Sequence, residues 1–443
     1  LSELKQYRLR AASAAELVRG VEAAVASGAL AGGQRLPSVR RLAAEVELSP
    51  ATVASALAEL RRRGVVISEP RRGSRIAEPA QSALRQVPLP VPPGARNLSK
   101  GNPDPALLPD LDAAIARMRT PRRLYGEPAA LPELLGLAAA QLDADGVPHE
   151  ALCVVSGAMD GIERVLDAHL RPGDSVAVEN PGYAALFDLL RVRGLALRPV
   201  AVDDRGMTPA ALGRALAGGS SAVVITPRGQ NPRGAALDEA RAAELREVLA
   251  QFPDALVIED DHLGAVADAP LHSTLRGRRR WAASRSVAKA LGPDLRLAVL
   301  GGDDATIARV QGRQQRGPGW VSHLLQQLVA DLWHDGAVEA QLTRARAVYG
   351  ERRGRLLAAL AARGIQAHGR SGMNVWLPVS DEAGTIGALL HRGWVLAPGA
   401  PYRLAGSAPA VRITTAALRA EDCDALAADL AEVLQSAGAQ RSG

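Results

Sequence analysis

Cysteine is nearly missing from this chain: 443 residues contain two, Cys153 and Cys423. They stand far apart and neither has a partner at metal-ligand spacing, so a disulfide framework and a metal site are both disfavoured. Long apolar runs are missing too. No stretch approaches the roughly 18 residues of a membrane-spanning helix. No basic segment followed by an apolar one opens the chain, so a secretory leader and a membrane partner are not expected, and the expected location is cytoplasmic. The third scarcity is lysine. Of 53 basic side chains, only Lys5, Lys100 and Lys289 are lysines. A chain that writes arginine wherever a plain cation serves draws attention to a lysine in its body, because a guanidinium cannot do amine chemistry.

Hydrophobic residues make up 47% and charged residues 23%, which places the chain among globular rather than disordered proteins. Its length allows two or three cores. The net charge of +6 is uneven: residues 1–80 hold 13 Lys and Arg against 8 Glu, a surplus of +5. A basic terminal module on a near-neutral body suits a polyanionic partner. A merely soluble basic surface would have the same composition.

Ser13-Ala-Ala-Glu16 has the form of a capping box, with the glutamate reaching back to the N-cap. Leu17, Val21, Ala24 and Val25 then recur at helical spacing to near Gly28. A second helix opens at Pro37-Ser38 and carries Val39, Leu42, Ala43 and Val46 on one face. After the short turn Glu47-Leu48, Ser49 is an N-cap and Pro50 sits at N1, where a missing N–H costs nothing. This third helix buries Val53, Ala56, Leu57 and Leu60 and stops at Gly64. Two β-like runs, Val65–Ser68 and Ser74–Ile76, flank a tip of Arg71, Arg72 and Gly73. Three short helices and a basic hairpin predict a winged helix-turn-helix whose third helix enters a major groove. Arg61-Arg62-Arg63 and the arginines of the tip can reach phosphates. A three-helix interaction module with solvated arginines is the alternative.

These residues resemble the GntR family of regulators. The resemblance lies in Gly33-Gln-Arg-Leu-Pro-Ser-Val-Arg-Arg-Leu-Ala43, Leu48-Ser-Pro-Ala-Thr-Val53, Leu60-Arg-Arg-Arg-Gly64 and Arg72-Gly-Ser74. It implies that Arg40, Ser49, Thr52, Arg72 and Gly73 contact a double-stranded DNA operator. Pro50 stands where the family commonly has an arginine.

Residues 77–97 read as a connector, because Pro79, Pro88, Pro90, Pro92 and Pro93 interrupt helix and strand alike. From about residue 98, apolar runs alternate with helical segments: Ala151–Val155, Ser175–Val178, Ala222–Thr226 and Ala255–Ile258 are separated by helical stretches. Such alternation predicts a mainly parallel sheet with ligands at the carboxyl ends of its strands. Polar residues gather at those ends. Ser156-Gly157-Ala158 lies between a strand and a helix start, a place suited to phosphate. Glu179-Asn-Pro-Gly-Tyr183 puts an aromatic ring in a loop, where it can stack on a planar ligand or pack locally. Asn231, in Gln230-Asn-Pro-Arg-Gly234, offers a neutral donor. Glu259-Asp260-Asp261-His262 ends an apolar run with three carboxylates, which need a cation if buried. A metal is the rival to a protonated ring nitrogen there. Ser286-Val-Ala-Lys289 supplies an amine for a Schiff base, and Arg296 a bidentate phosphate clamp.

In this order the motifs resemble the fold-type I, pyridoxal-phosphate (PLP)-dependent aminotransferases. The resemblance spans residues 98–435 and implies a smaller C-terminal α+β subdomain. It makes Lys289 the catalytic lysine that bonds the cofactor, Asp260 the partner of the pyridine nitrogen, Asn231 the partner of the ring oxygen and Tyr183 the stacking ring. Ser156, Gly157, Ala158, Ser286 and Arg296 then hold the phosphate. Tyr125, in Leu-Tyr125-Gly-Glu-Pro, matches a tyrosine that reaches the neighbouring subunit's phosphate, and Arg412, in Ala410-Val-Arg-Ile-Thr414, an arginine that grips a substrate carboxylate. The subgroup's usual tyrosine near the ring oxygen is replaced by His262. Ala288 and Ala130 are further departures.

A GntR-type reader over 1–76 fused to such a domain resembles the MocR subgroup, whose members are head-to-tail homodimers with PLP and often an amino-compound effector. The expected function is therefore a PLP-dependent transcriptional regulator. A PLP-dependent aminotransferase is the alternative, and a scaffold that has lost its cofactor conflicts with the retained Lys289 and Asp260.

Overall fold

The computed structural model describes residues 11–69, 73–76, 91–119, 121–404 and 406–439. Near the N-terminus, α1 (Ala14–Ala26), α2 (Val39–Val46) and α3 (Pro50–Arg62) form where caps and spacing predict them. Each starts at a serine whose hydroxyl accepts a backbone N–H: Ser13 from Glu16, Ser38 from Arg41 and Ser49 from Thr52. The Glu16 carboxylate reaches one residue beyond the N-cap, to the Ala12 N–H at 2.8 Å. Glu47, at φ 56°, ends α2 and turns the chain toward α3. Leu17, Val21, Leu42, Val53, Leu57 and Leu60 share one core with Val66 and Ile76. Each such burial contributes roughly 1.5–3 kcal/mol, which is why three short helices hold together. Val25 is only partly buried, and Val18 takes its expected place.

The hairpin β1 (Val66–Glu69) and β2 (Gly73–Ile76) is antiparallel, with Val66 opposite Ile76. The Leu36 N–H donates to Ser74 O and the Ile76 N–H to Gln34 O, both at 2.8 Å, so residues 34–36 run along the wing. The tip residues Arg71 and Arg72 lie outside the described residues.

The strands that follow are β3 (Arg96–Asn97), β4 (Ala151–Val155), β5 (Ser175–Asn180), β6 (Ala196–Asp203), β7 (Gly206–Met207), β8 (Ala222–Ile225), β9 (Leu256–Asp261), β10 (Trp281–Ser286) and β11 (Ala298–Gly302). Among the described residues, eight of them make one sheet in the order β4-β11-β10-β9-β8-β5-β6-β7. The chain runs parallel through β8, β9 and β10, while β11 is antiparallel to both β10 and β4. All residues of β8, β9 and β10 are buried. Helices such as Ala158–His169 and Glu239–Ala250 pack over them, which is why these strands read as continuous rather than alternating apolar runs.

One expectation needs correcting. The carboxylates Glu259, Asp260 and Asp261 do not follow the strand but belong to it. Glu259 accepts from the Thr274 N–H and hydroxyl and from Ser273, and Asp261 is paired with arginines, so the strand continues where three acids would otherwise end it.

A second, smaller core follows. β12 (Asn374–Pro378), β14 (Ala397–Pro398) and β15 (Ala410–Thr414) form a sheet in the order β12-β15-β14 beside the helices Glu382–His391 and Ala420–Ala439. Leu377, Leu389, Leu396, Ile413 and Leu426 fill it. β13 (Trp394–Val395) pairs in parallel with β3, so the last two residues of the stretch read as a connector, Arg96 and Asn97, are tied into this body.

Candidate functional site

β8, β9 and β10 are parallel, and β4 shares their direction because both β4 and β10 oppose β11. Their carboxyl ends therefore meet on one edge of the sheet. Ser156–Ala158, Asn231, Asp260 and Lys289 all lie at those ends, three on the following loops and Asp260 near the end of β9 itself.

Asp260 is buried, and its Oδ1 has no hydrogen-bond partner among the described residues. Burial, and then the charge of Asp261, push its pKa up to about 7. An unpaired carboxylate in that position is costly and is relieved by a cationic N–H donor. Asp261 has the opposite character. Burial alone would raise its pKa, but Arg228 at 2.8 Å and Arg285 at 3.0 Å outweigh that and hold it below the usual range. Both guanidiniums also meet Asp145, at 3.2 and 2.6 Å.

Lys289 follows β10, and its Nζ donates to the Gly101 carbonyl. Burial, and then the charge of Arg412, lower its pKa to about 8. An amine tuned this way spends more of its time uncharged and nucleophilic. Burial and the Lys289 charge also push His262 down to about 4, so its ring is neutral at physiological pH.

Arg412, on β15, is buried. Its Nη1 donates to Asn231 Oδ1 at 3.1 Å and its Nη2 to Ser99 O at 2.5 Å. Its guanidinium lies over the Tyr402 ring, 4.7 Å from the centroid, and its Nε has no hydrogen-bond partner among the described residues. Tyr183 borders the same space: burial and the charge of Asp260 raise its pKa, while Arg412 and Arg296 act the other way.

Gly157 has φ 98°, a conformation that favours glycine. A Cβ there would stand 3.0 Å from Arg296 Nη2, so the guanidinium rests on this glycine. Ser156 N donates to Asp160 at 2.9 Å, and Asp160 is matched by Arg164. Ser286 closes β10 and caps the turn toward Lys289, accepting from the Ala288 N–H at 3.2 Å.

Spacing did not single out Glu179 by itself. It is buried, and burial pushes its pKa up to about 7 against the hydrogen bonds that it accepts from Thr226 and Gln230. Gln230 also donates to Pro181 O at 2.8 Å. This links the loop bearing Tyr183 to the loop bearing Asn231. Ser99, Gly101, Tyr402, Arg228 and Arg285 were likewise missed.

Tyr125 is not part of this cluster. It is 92% exposed and meets Trp320 edge-on with centroids 5.6 Å apart. In the helix-turn-helix, Arg40 is exposed, and the Ser49 and Thr52 hydroxyls lie 2.8 Å apart at the start of α3. Gly73 opens β2 at φ 84°. Arg72 lies outside the described residues. No cluster of His, Cys, Asp and Glu suited to a metal ion occurs among the described residues, and no described helix is long and apolar enough to cross a membrane.

Comparison with known proteins finds two families along the chain. Residues 95–430 match aminotransferase class I and II, and residues 13–76 match the bacterial regulatory proteins of the gntR family. The chain is similar to the vitamin B6 salvage pathway transcriptional repressor PtsJ of Salmonella typhimurium, 39% identical over 95% of this chain and 98% of the repressor. It is also similar to the transcriptional regulator TauR of Rhodobacter capsulatus, 26% identical over 89% and 88% of the two chains. Among solved structures, the α-aminoadipate aminotransferase LysN of Thermus thermophilus shares the fold, with a TM-score of 0.69 at 23% identity over 79% of this chain and 94% of LysN.

Proposed function

We propose, of a chain that belongs to the aminotransferase class I and II family and joins to it a gntR-type reader in the MocR arrangement, that it is a transcription regulator whose DNA binding is set by PLP on Lys289. The observation that carries this reading is that the carboxyl ends of the neighbouring strands β9 and β10 bear a buried acid oxygen with no partner among the described residues and, just beyond β10, a half-buried amine of lowered pKa. The pocket suits the cofactor part by part. The free Asp260 oxygen fits a protonated ring nitrogen, the Lys289 amine fits an aldehyde, and the Arg296 guanidinium on Gly157 fits a phosphate.

When bound, the cofactor supplies an aldehyde that can trade one amine for another. The chain's residues orient that exchange. Asp260 holds the proton on the ring nitrogen, Tyr183 covers a ring face and Asn231 donates to the ring oxygen. His262 stands nearby as an uncharged hydrogen-bonding group. Ser156, Gly157, Ala158, Ser286 and Arg296 take the phosphate. Arg412 takes the carboxylate of an amino-compound effector. The exposed Tyr125 reaches the phosphate of a second copy in a head-to-tail homodimer. In the reader, Arg40, Ser49, Thr52, Arg72 and Gly73 contact an operator, and the place of action is the cytoplasm. A ligand regulates such a protein only by favouring one of its states.

The test is spectroscopic. Titrating the full chain with PLP is expected to produce an absorption band at the edge of the visible range that Lys289→Ala lacks, and PLP is expected to change the affinity for the duplex upstream of the chain's own gene. A wild-type band that survives in Lys289→Ala rejects the assignment.

A further inference from the structure

Residues Ser99–Gly101 cross the pocket immediately after the chain leaves β3. They are clamped on both sides. Upstream, the Leu98 N–H donates to Val395 O and the Leu98 carbonyl accepts from the Thr414 N–H, both at 2.8 Å. Downstream, the Asp104 N–H donates to the Tyr349 hydroxyl at 3.1 Å, and the Asp104 carboxylate takes Arg352 Nη1 at 2.7 Å. Between the clamps, two carbonyls point into the site: Ser99 O accepts from Arg412 and Gly101 O from Lys289. A Cβ on Gly101 would stand 3.7 Å from Arg412 Nη1, so this glycine packs on the guanidinium.

We infer that Ser99–Gly101 is an occupancy-sensing strap, which holds the donors of Lys289 and Arg412 while the site is free and loses both when a B6 aldehyde and a carboxylate claim them. The inference rests on the roles proposed above for Lys289 and Arg412. When Lys289 Nζ bonds to an aldehyde carbon, a C=N bond forms and the aldehyde oxygen leaves as water with both hydrogens of the neutral amine. Nothing is oxidised or reduced, and the donors that held Gly101 are gone. A carboxylate is a stronger acceptor for a guanidinium than an amide carbonyl, so Arg412 exchanges Ser99 O for it. The strap then keeps its outer clamps and loses its centre. Among the described residues, β3 is the one named element between β2 and this strap, so along the chain its release points toward the helix-turn-helix.

Hydrogen–deuterium exchange of the full chain, followed by peptide mass analysis, tests this. In the free protein Lys289→Ala is expected to speed exchange of the peptide spanning residues 98–104 by roughly five- to tenfold, the factor that one hydrogen bond of ordinary net strength sets. Lys289→Arg keeps donors but cannot bond the aldehyde, so its strap is expected to exchange like the free wild type with or without PLP. PLP is expected to speed exchange in the wild type alone. Equal exchange in free wild type and free Lys289→Ala overturns the strap, as does a wild type whose spectrum shows loading while the strap is unchanged. If Lys289→Ala speeds exchange throughout the chain, Arg412→Met decides: it must release the same peptide locally, and no local release overturns the inference. A wild type without an absorption band rejects the proposed role of PLP instead, and the free-state comparison still reports on the strap.

Discussion

Replacing Asp260 with asparagine is expected to stabilise the free protein and weaken its response to cofactor. The reasoning starts from a buried acid whose Oδ1 lacks a partner and whose pKa rises from an ordinary 3.8 to about 7. A carboxyl with a raised folded-state pKa binds more protons folded than unfolded between those two values. Stability is therefore lost as pH rises through that window, and the full cost is present above it. Taking one pKa unit as about 1.36 kcal/mol, the acid costs about 2 kcal/mol near pH 5.5 and about 4 kcal/mol near pH 8. Asparagine carries no such charge. Its own buried amide costs something, but that cost does not vary with pH. The asparagine variant's stability relative to wild type should thus rise by about 2 kcal/mol between those two pH values, read from urea unfolding. With PLP present the sign reverses, because the variant has lost the anion that holds the ring nitrogen, so saturating cofactor stabilises it less. A stability difference that is flat with pH would refute the argument, since it would mean that a partner matches the acid and its pKa in the fold is not raised.

Other substitutions probe other parts. Arg228→Met removes the bidentate partner of Asp261 and leaves a buried carboxylate relying on Arg285; a loss of about 3 kcal/mol in urea unfolding is expected, and a loss under about 1 would show that the ion cluster is not what keeps Asp261 charged. Gly157→Val places a branched side chain where Arg296 rests, at a positive φ; PLP affinity should fall at least roughly tenfold in a spectral titration while unliganded folding persists, and unchanged affinity would move the phosphate elsewhere. Arg40→Ala should weaken binding to the upstream duplex by about 1–3 kcal/mol in a mobility-shift titration, and no loss would exclude Arg40 as a base contact.

The helix-turn-helix was legible because its instructions are local. Serine caps, Pro50 at N1 and apolar spacing each act within a few residues, and α1, α2 and α3 start where they say. The sheet was legible because strands covered on both faces must be apolar throughout. Less of the pocket could be read. Lys289 drew attention only because lysine is so rare, and Asp260 because acids seldom end an apolar run. The Asp145–Arg228–Asp261–Arg285 cluster joins residues remote in sequence, and nothing in their spacing announces that they meet. Ser99 and Gly101 act through backbone carbonyls, which every residue possesses. The position of Glu179 between Thr226 and Gln230 depends on the strand order β8-β5, which no local pattern encodes.

With only three lysines in the chain, covalent trapping is unusually decisive. The full-length protein would be loaded with PLP, reduced with borohydride, digested and mapped by mass spectrometry. The phosphopyridoxyl group should be found on the peptide containing Lys289, and protein trapped in this way should no longer change its DNA affinity when PLP is added or removed. Label on Lys100 or Lys5, or none at all, would contradict the assignment of Lys289 as the residue through which this protein senses vitamin B6.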